Sequence, residues 1–311
     1  MANADSERLR PLDKALAAGP RRVYGHHMRF GIDIAQQRMA WHELLDRALF
    51  AEQAGFEGAW GFDHFQPLYG EGPGNCFEGM TTLAALASST VRIRLGLLVT
   101  GVTYRHPSIL ASQAVTVDNI SQGRFDLALG AAWFEPEHTA LGIGFPPRRE
   151  RFDRLEESLE VITSLMTGEP VSFEGKHYRL QEAQMLPVPV QRPHPPIWIG
   201  GSGRRRTLPI VARWADAWHA FDPPEIYRDL SRALDSLAED AGRDPSSILR
   251  ASSISLSEPW DQVRATIDAL EKVGVSYLVC WWPTEGYERL EHFTTHILPQ
   301  YATGGPSLPR P

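Results

Sequence analysis

Residues 29–62 read RFGIDIAQQRMAWHELLDRALFAEQAGFEGAWGF and contain the first repeat of the pattern that predicts the fold. It begins with a short apolar run from Arg29 to Ile34 and continues with helical periodicity from His42 to Ala54. A second apolar run follows at Gly58 to Phe62. A strand, a helix and a second strand in this order predict two parallel strands joined by a helical crossover.

The same alternation continues along the chain. Further strands are predicted at Ile93 to Val99, Phe125 to Leu129, Ile197 to Ile199, Asp216 to Ala220, Leu249 to Leu256 and Ser276 to Cys280. The clearest helix runs from Arg148 to Met166, where apolar residues recur at helical spacing. Eight strand–helix units predict an α/β protein, a (β/α)8 TIM barrel with insertions, and an open doubly wound sheet is the alternative.

Three segments fall outside this rhythm. Residues 168–195 are rich in proline, and Val171 to Leu180 contains a Glu-Gly turn, so we expect an insertion with a small hairpin. Residues 1–27 are polar and irregular and predict a mobile N-terminal extension, and residues 302–311 predict a flexible tail. The barrel is therefore expected to span residues 28–301.

Composition and charge exclude several classes of protein. The chain has 31 Lys plus Arg against 38 Asp plus Glu, a net charge of −7, whereas a nucleic-acid-binding protein needs a basic face. A hydrophobic content of 42% is enough for a large core and excludes wholesale disorder. The longest apolar stretch in the middle of the chain, Leu95 to Tyr104, is half of the roughly 20 residues that a membrane-spanning helix needs. We therefore expect neither a nucleic acid nor a membrane as a partner.

The chain contains two cysteines, Cys76 and Cys280. Two are too few for a disulfide framework or a four-cysteine zinc site. The first 27 residues contain no apolar segment of the kind found in secretory signals. We therefore expect a cytoplasmic protein with free thiols and a small-molecule substrate; a homodimer is left open.

Barrel enzymes carry their chemistry at the carboxyl ends of the strands. Just past the second predicted strand, Asp63 and His64 place an imidazole beside a carboxylate, which suits proton transfer near neutral pH. A loop histidine bonded to the backbone would show the same pattern. Tryptophans also follow strands, and they predict either core packing or a flat apolar pocket for the substrate. They are Trp133, Trp218, Trp281 and Trp282.

Residues 200–206 read GGSGRRR and predict an anion site. Glycines at the start of a helix let backbone N–H groups approach a phosphate, and the helix dipole adds to the attraction. Arginines at a helix N-terminus are unfavourable by about 0.3–1 kcal/mol each, and a bound polyanion would explain them, although a solvated surface would dilute the cost. Arg206 replaces the third glycine of a dinucleotide fingerprint, and the Gly-Lys-Ser/Thr of a Walker loop is absent.

His292 and His296 lie four residues apart on the last predicted helix, a spacing that zinc sites use. No adjacent glutamate and no third ligand accompany them. A solvated helix face is the favoured interpretation, and no metal site is predicted.

Six segments of the chain, in order, resemble the luciferase-like monooxygenase superfamily, and within it the oxidoreductases that use the deazaflavin coenzyme F420. The segments are MRFGI from Met28, WGFDHF from Trp60, RLGLLVTGVTYRHP from Arg94, GRFD from Gly123, PRRERFDRLEE from Pro147 and PIWIGGSG from Pro196. The resemblance runs from Met28 to about Tyr301. It implies a (β/α)8 barrel with insertions and a deazaflavin lying across the strand ends.

The resemblance also implies roles for individual residues. His64 would be the catalytic proton donor or oxyanion partner beside the reacting ring, and Asp63 would contact the cofactor. Gly101 and Val102 match the bulge after the third strand, where the family has a non-prolyl cis peptide, here expected between these two residues. The other implied cofactor contacts are Thr103, Ala131, Gly201, Ser202, Gly203, Arg205 and Arg206.

The chain departs from the sugar-phosphate dehydrogenase branch of the resembled superfamily at one position. Where those enzymes carry an acid–base glutamate after the fourth strand, this chain has Trp133, and Glu135 and Glu137 are displaced from that position. We therefore expect an F420-dependent oxidoreductase that transfers hydride between the deazaflavin and a small, apolar or aromatic organic substrate. Two alternatives remain: a monooxygenase using reduced FMN and oxygen, and a deazaflavin-binding protein without turnover.

Overall fold

The computed structural model describes residues 27–302, and its strands follow the predicted order. In chain order they are β1 (Arg29–Asp33), β2 (Gly58–Gly61), β3 (Arg94–Leu97), β4 (Thr100–Gly101), β5 (Phe125–Gly130), β6 (Val171–Glu174), β7 (Arg179–Ala183), β8 (Ile197–Gly200), β9 (Ala217–His219), β10 (Leu249–Ser255) and β11 (Tyr277–Trp281).

Eight of these strands form a closed parallel barrel, and the two-residue strand β4 pairs with β5 in the same sheet. The sheet runs β3-β2-β1-β11-β10-β9-β8-β5-β4, and a further pairing of β3 with β5 closes it. In β1, Phe30 lies opposite Leu278 of β11, and Gly31 lies opposite Gly58 of β2. The predicted (β/α)8 fold is therefore confirmed, and the open sheet is excluded.

Helices follow the strands around the outside of the barrel. They are α1 (Trp41–Gln53), α2 (Gly79–Ser89), α3 (Pro107–Ser121), α4 (Glu135–Leu141), α5 (Arg148–Leu165), α6 (Thr207–Trp214), α7 (Pro224–Asp240), α8 (Trp260–Lys272), α9 (Tyr287–His292) and α10 (Leu298–Tyr301). A 3-10 turn covers Pro245–Ser247, and a π-helical turn covers Phe293–Ile297. Each long helix buries one apolar face; in α5 the buried side chains include Phe152, Leu155, Leu159 and Ile162. None of the helices between residues 27 and 302 has both the length and the apolar character that crossing a bilayer requires.

The segment 168–195 contains an antiparallel hairpin. Strands β6 and β7 pair with each other and stand apart from the barrel sheet. The predicted extension 1–27 and tail 302–311 lie outside the described residues, apart from His27 and Ala302.

Aromatic side chains pack against one another in the interior of the barrel. Trp60 donates a 3.0 Å hydrogen bond from its indole nitrogen to the hydroxyl of Tyr277, and its ring lies 4.6 Å from that of Trp198. Gly31 makes room for them, because a Cβ there would lie 2.5 Å from the Tyr277 hydroxyl. These contacts link strands β1, β2, β8 and β11 across the interior of the barrel.

Candidate active site

A cavity of about 740 Å³ opens among the carboxyl ends of the strands. This volume is in the range of small-molecule and cofactor sites. Nearly every barrel strand contributes to its lining. The lining includes Asp33, Asp63, His64, Val99, Gly101, Gly130, Ala131, Trp133, Gly200, Gly201, Ser202, Gly203, His219, Ser253 and Trp281.

His64 lies in the loop that follows β2 and is held by aromatic neighbours. Its side chain lines the cavity, and the residue is only 7% exposed. Its ring contacts those of Tyr104 and Trp133 edge to face, with centroids 6.2 and 6.0 Å away. Its Nδ1 atom lies 3.0 Å from Oε2 of Glu137. The ring is therefore fixed in orientation as well as in place.

Glu137 is fully buried in the first turn of α4, where a negative charge suits the helix dipole. Its Oε1 accepts hydrogen bonds from the backbone N–H groups of Phe65 and Gln66 at 2.8 and 2.9 Å. Its Oε2 accepts one from the hydroxyl of Tyr104 at 2.5 Å. Burial raises the pKa of Glu137, but the hydrogen bonds from Tyr104, Phe65 and Gln66 and the charge of His64 outweigh it and leave the pKa below its usual value. Glu137 is therefore ionised near neutral pH.

Asp63 is engaged in an ion pair with Arg105. The guanidinium donates to the two carboxylate oxygens at 2.5 and 2.9 Å, and it also binds Glu78. Burial raises the pKa of Asp63 and outweighs the opposing effect of Arg105. Asp63 belongs to the cavity lining, but its side chain is completely buried against Arg105.

The predicted glycine loop follows β8 and lies on the cavity wall. Gly201 has a φ of +116°, a region that favours glycine. Its N–H donates to the carbonyl of His219 at 2.9 Å. A Cβ at Gly203 would lie 2.9 Å from Oγ1 of Thr207, the first residue of α6. The loop therefore presents bare backbone to the cavity, as an anion site requires.

The arginines at the cavity are different from those predicted. Arg205 is exposed and does not line the cavity, and Arg206 pairs with Asp153 at 2.7 Å and Glu156 at 3.1 Å on α5. The anchoring roles implied for both residues do not follow from their positions. The cavity is instead lined by two cations from the start of α5, which the sequence analysis did not single out. These are Arg148 and Arg151.

The non-prolyl cis peptide joins Leu98 to Val99. The position predicted for it, between Gly101 and Val102, is wrong by three residues. Val99 forms part of the cavity wall where β5 and β8 meet, since a Cβ at Gly130 would lie 2.7 Å from its Cγ2 atom.

Two of the implied cofactor contacts are used inside the protein. Val102 is buried, and its N–H donates to the carbonyl of Gly130 at 3.1 Å. Thr103 has its hydroxyl 2.7 Å from Nε2 of His138. Neither Val102 nor Thr103 lines the cavity, whereas the predicted contacts Gly101, Ala131, Gly201, Ser202 and Gly203 all do.

The four tryptophans divide into two pairs. Trp133 and Trp281 line the cavity and are 67% and 46% exposed. Trp218 is buried and stacks on Tyr227, with ring centroids 4.6 Å apart. Trp282 lies under the guanidinium of Arg47, 4.5 Å from its ring centroid. Trp218 and Trp282 do not line the cavity and pack in the protein body instead.

Asp33, at the end of β1, is a cavity residue that the sequence analysis missed. Its Oδ1 accepts a 2.8 Å hydrogen bond from the N–H of Ala35. Burial raises its pKa to about 6, although that hydrogen bond and the charge of Arg47 act in the opposite direction. Asp33 follows from the same reasoning that identified His64, because it lies at the carboxyl end of the first strand.

His219 and Ser253 form a neutral polar pair in the cavity wall. Nε2 of His219 lies 2.9 Å from the hydroxyl of Ser253. Burial lowers the pKa of His219 to about 3, so this imidazole carries no charge near neutral pH.

No group of three or more potential metal ligands occurs between residues 27 and 302. His292 stacks on Trp260 at 4.8 Å, and its ring lies 4.7 Å from that of His296. This histidine pair is not part of the cavity lining.

A (β/α)8 barrel with a glycine-walled cavity and a fixed imidazole at its strand ends has the organisation of a barrel enzyme. Residues 24–271 match the family model of the luciferase-like monooxygenases. The chain belongs to this luciferase-like family.

The chain is similar to two curated dehydrogenases and to one solved reductase structure. The F420-dependent glucose-6-phosphate dehydrogenase of Microbacterium testaceum is 32% identical over 254 residues, 80% of this chain and 68% of that protein. The F420-dependent hydroxymycolic acid dehydrogenase of Mycobacterium tuberculosis is 32% identical over 219 residues, 70% of this chain and 59% of that protein. The coenzyme F420-dependent tetrahydromethanopterin reductase of Methanopyrus kandleri has a TM-score of 0.76 at 20% identity, covering 88% of this chain and 99% of that one. This structural likeness shows a common fold.

Proposed function

We propose that this protein is an F420-dependent oxidoreductase that transfers hydride between the deazaflavin and a small organic substrate with an apolar or aromatic body. The observation that carries the proposal is that one cavity brings the fixed imidazole of His64 together with the bare backbone of the glycine loop. The curated relatives described above support the choice of cofactor, since both are named as F420-dependent.

The residues on the β5–β8 side of the cavity fit a phosphate-bearing, ring-shaped cofactor. Gly130 and Gly200 keep the wall open beside Val99, where side chains would collide with its methyl groups. Because the N–H of Gly201 donates to His219, the backbone offered to an anion is that of Ser202 and Gly203, and Arg148 and Arg151 add positive charge at the same end. When bound, the deazaflavin supplies the hydride chemistry, and the protein supplies binding, orientation and control of charge.

His64 is placed to move the proton that accompanies the hydride. When an alcohol loses a hydride from carbon to become a carbonyl compound, its hydroxyl group must also lose a proton. Nε2 of His64 accepts that proton in the oxidation and returns it in the reverse reaction. Nδ1 does not compete for this role, because it is bonded to Glu137.

The opposite side of the cavity supports the proposed class of substrate. Trp281 and Phe221 present half-exposed aromatic surface there, and the pair of His219 and Ser253 is neutral. Asp33 adds a carboxylate that can accept a hydrogen bond from a hydroxyl or amine. Among the described residues, Arg148 and Arg151 are the arginines that line the cavity, and both belong to the β5–β8 side. The substrate is thus a neutral or cationic molecule with a hydrogen-bond donor, and a sugar phosphate is disfavoured.

The test is anaerobic turnover of the full chain with oxidised F420 and three probes: benzyl alcohol, cyclohexanol and glucose 6-phosphate. The visible absorbance of the oxidised cofactor should fall with at least one alcohol and stay constant with glucose 6-phosphate. His64→Ala serves as the control for uncatalysed exchange. Turnover of glucose 6-phosphate alone would overturn the substrate class, and oxygen-consuming turnover with reduced FMN would overturn the cofactor.

A further inference from the structure

We infer that Glu137 is a positioning residue for His64: its buried carboxylate holds the proton of the imidazole on Nδ1 and so leaves Nε2 to exchange protons with the substrate. The inference rests on the proposed function for its catalytic meaning. The tautomer itself is a property of the protein alone.

The hydrogen bonds of Glu137 determine which atom donates. The carboxylate faces four donors, namely the N–H groups of Phe65 and Gln66, the hydroxyl of Tyr104, and Nδ1 of His64. An ionised carboxylate can only accept hydrogen bonds, so the 3.0 Å contact requires a proton on Nδ1. Among residues 27–302, the hydrogen bonds of this imidazole all involve Nδ1, and Nε2 makes none.

The arrangement joins loops from three strands at one point. His64, Phe65 and Gln66 follow β2, Tyr104 follows β4, and Glu137 follows β5. A completely buried carboxylate is costly unless it is fully hydrogen-bonded, and this one is satisfied by groups that surround a single imidazole. The carboxylate next to His64 in sequence, Asp63, cannot serve in the same way because Arg105 occupies both its oxygens.

Other ionisable groups surround the pair and belong in any pH analysis. Cys76 donates from its thiol to the carbonyl of His64 at 3.3 Å. The ring of His138 stacks on Tyr104 at 4.6 Å. The remaining groups are Asp63, Arg105 and Glu78, which form the neighbouring ion-pair cluster.

The first test is the tautomer of His64 in the wild-type full chain labelled with ¹⁵N-histidine. Long-range proton–nitrogen correlation spectra separate a protonated Nδ1 from a protonated Nε2, and His64→Gln assigns the signals. We expect neutral His64 to carry its proton on Nδ1. A neutral form protonated on Nε2 would overturn the inference without any variant of Glu137.

The second test compares Glu137→Gln with Glu135→Gln, which changes an exposed glutamate in the same helical turn. We expect Glu137→Gln to shift the tautomer population of His64 and to lower kcat by about 10²-fold at unchanged F420 affinity. Glu135→Gln should change neither. An unchanged tautomer in Glu137→Gln would overturn the inference whatever happens to turnover, because a loss of activity alone would then reflect structure. If the tautomer responds but the wild type has no F420-dependent activity, the proposed function fails and the positioning of His64 stands.

Discussion

The indole nitrogen of Trp218 donates a 2.8 Å hydrogen bond to the carbonyl oxygen of Gly201. Trp218 lies beneath the glycine loop of Gly201 to Gly203, and its buried ring stacks on that of Tyr227. The contact joins β9 to the loop after β8 and keeps the peptide of Gly201 in one orientation. A tryptophan predicted to touch the substrate therefore acts instead as a support for the proposed phosphate site.

Trp218→Phe should weaken F420 binding while the fold is retained. The phenyl ring preserves much of the stacking on Tyr227 but removes a hydrogen bond worth about 0.5–1.5 kcal/mol. We expect Kd for F420 to rise several-fold by fluorescence titration, with an unchanged far-ultraviolet circular dichroism spectrum. An unaltered Kd would mean that the loop does not need this bond.

Arg148→Ala should weaken F420 binding, and more strongly at low salt than at high salt. The side chain lies at the cavity, and its attraction to an anionic cofactor is screened as ionic strength rises. Arg205→Ala is the matched control, since Arg205 is exposed and does not line the cavity. Equal losses of affinity in the two variants would contradict the placement of the anion site.

Asp33→Asn should stabilise the protein at pH 7 to 8 and leave its stability at pH 4 nearly unchanged. The pKa of Asp33 is about 6 in the folded chain, above the ordinary value of 3.8, so the folded state favours the protonated form. Stability is therefore lost as pH rises from about 4 to about 6, by up to about 1.4 kcal/mol per pH unit, and the neutral amide avoids that loss.

The measurement for this prediction is thermal unfolding from pH 4 to pH 8. Asp46→Asn, at an exposed position on α1, is the control and should not produce the same pattern. Equal stabilisation by Asp33→Asn at pH 4 and pH 8 would show that ionisation of Asp33 is not the cause.

His64→Ala should lower turnover by about 10²–10⁴-fold, the usual contribution of a general acid or base. Binding of oxidised F420 should change little, because the imidazole is proposed to act on the substrate rather than on the cofactor phosphate. The comparison is made at saturating F420, so that weak occupancy does not imitate a chemical defect. Full turnover across the pH range would reduce His64 to a packed loop residue.

The barrel was predictable because its signals are local. A short apolar run such as Arg29–Asp33 predicts a buried strand, and the proline at the start of α3 predicts the beginning of a helix. Glycines around Gly201 also signal an open backbone wherever they occur. These features can be recognised without knowing which residues lie on the opposite side of the barrel.

The details that the sequence did not reveal depend on tertiary contacts. The partner of His64 is Glu137, 73 residues away, and only the folded chain shows that Arg105 removes the adjacent Asp63 from this role. The cis peptide lies between Leu98 and Val99, and no local sequence signal distinguishes this bond from the one at Gly101 and Val102. The four tryptophans near strand ends point their side chains in different directions, two into the cavity and two away from it. The direction of each side chain depends on the tertiary packing around it, which the positions of tryptophan in the sequence do not reveal.

If the cavity is built for a deazaflavin, the full chain should prefer F420 to FMN, and its affinities for the two cofactors decide this. Both Kd values are measured by quenching of tryptophan fluorescence under the same buffer and salt conditions, with oxygen uptake recorded for each reduced cofactor. We predict tighter binding of F420 than of FMN and no stoichiometric oxygen consumption. Tighter binding of FMN, together with oxygen uptake coupled to substrate oxidation, would contradict the account.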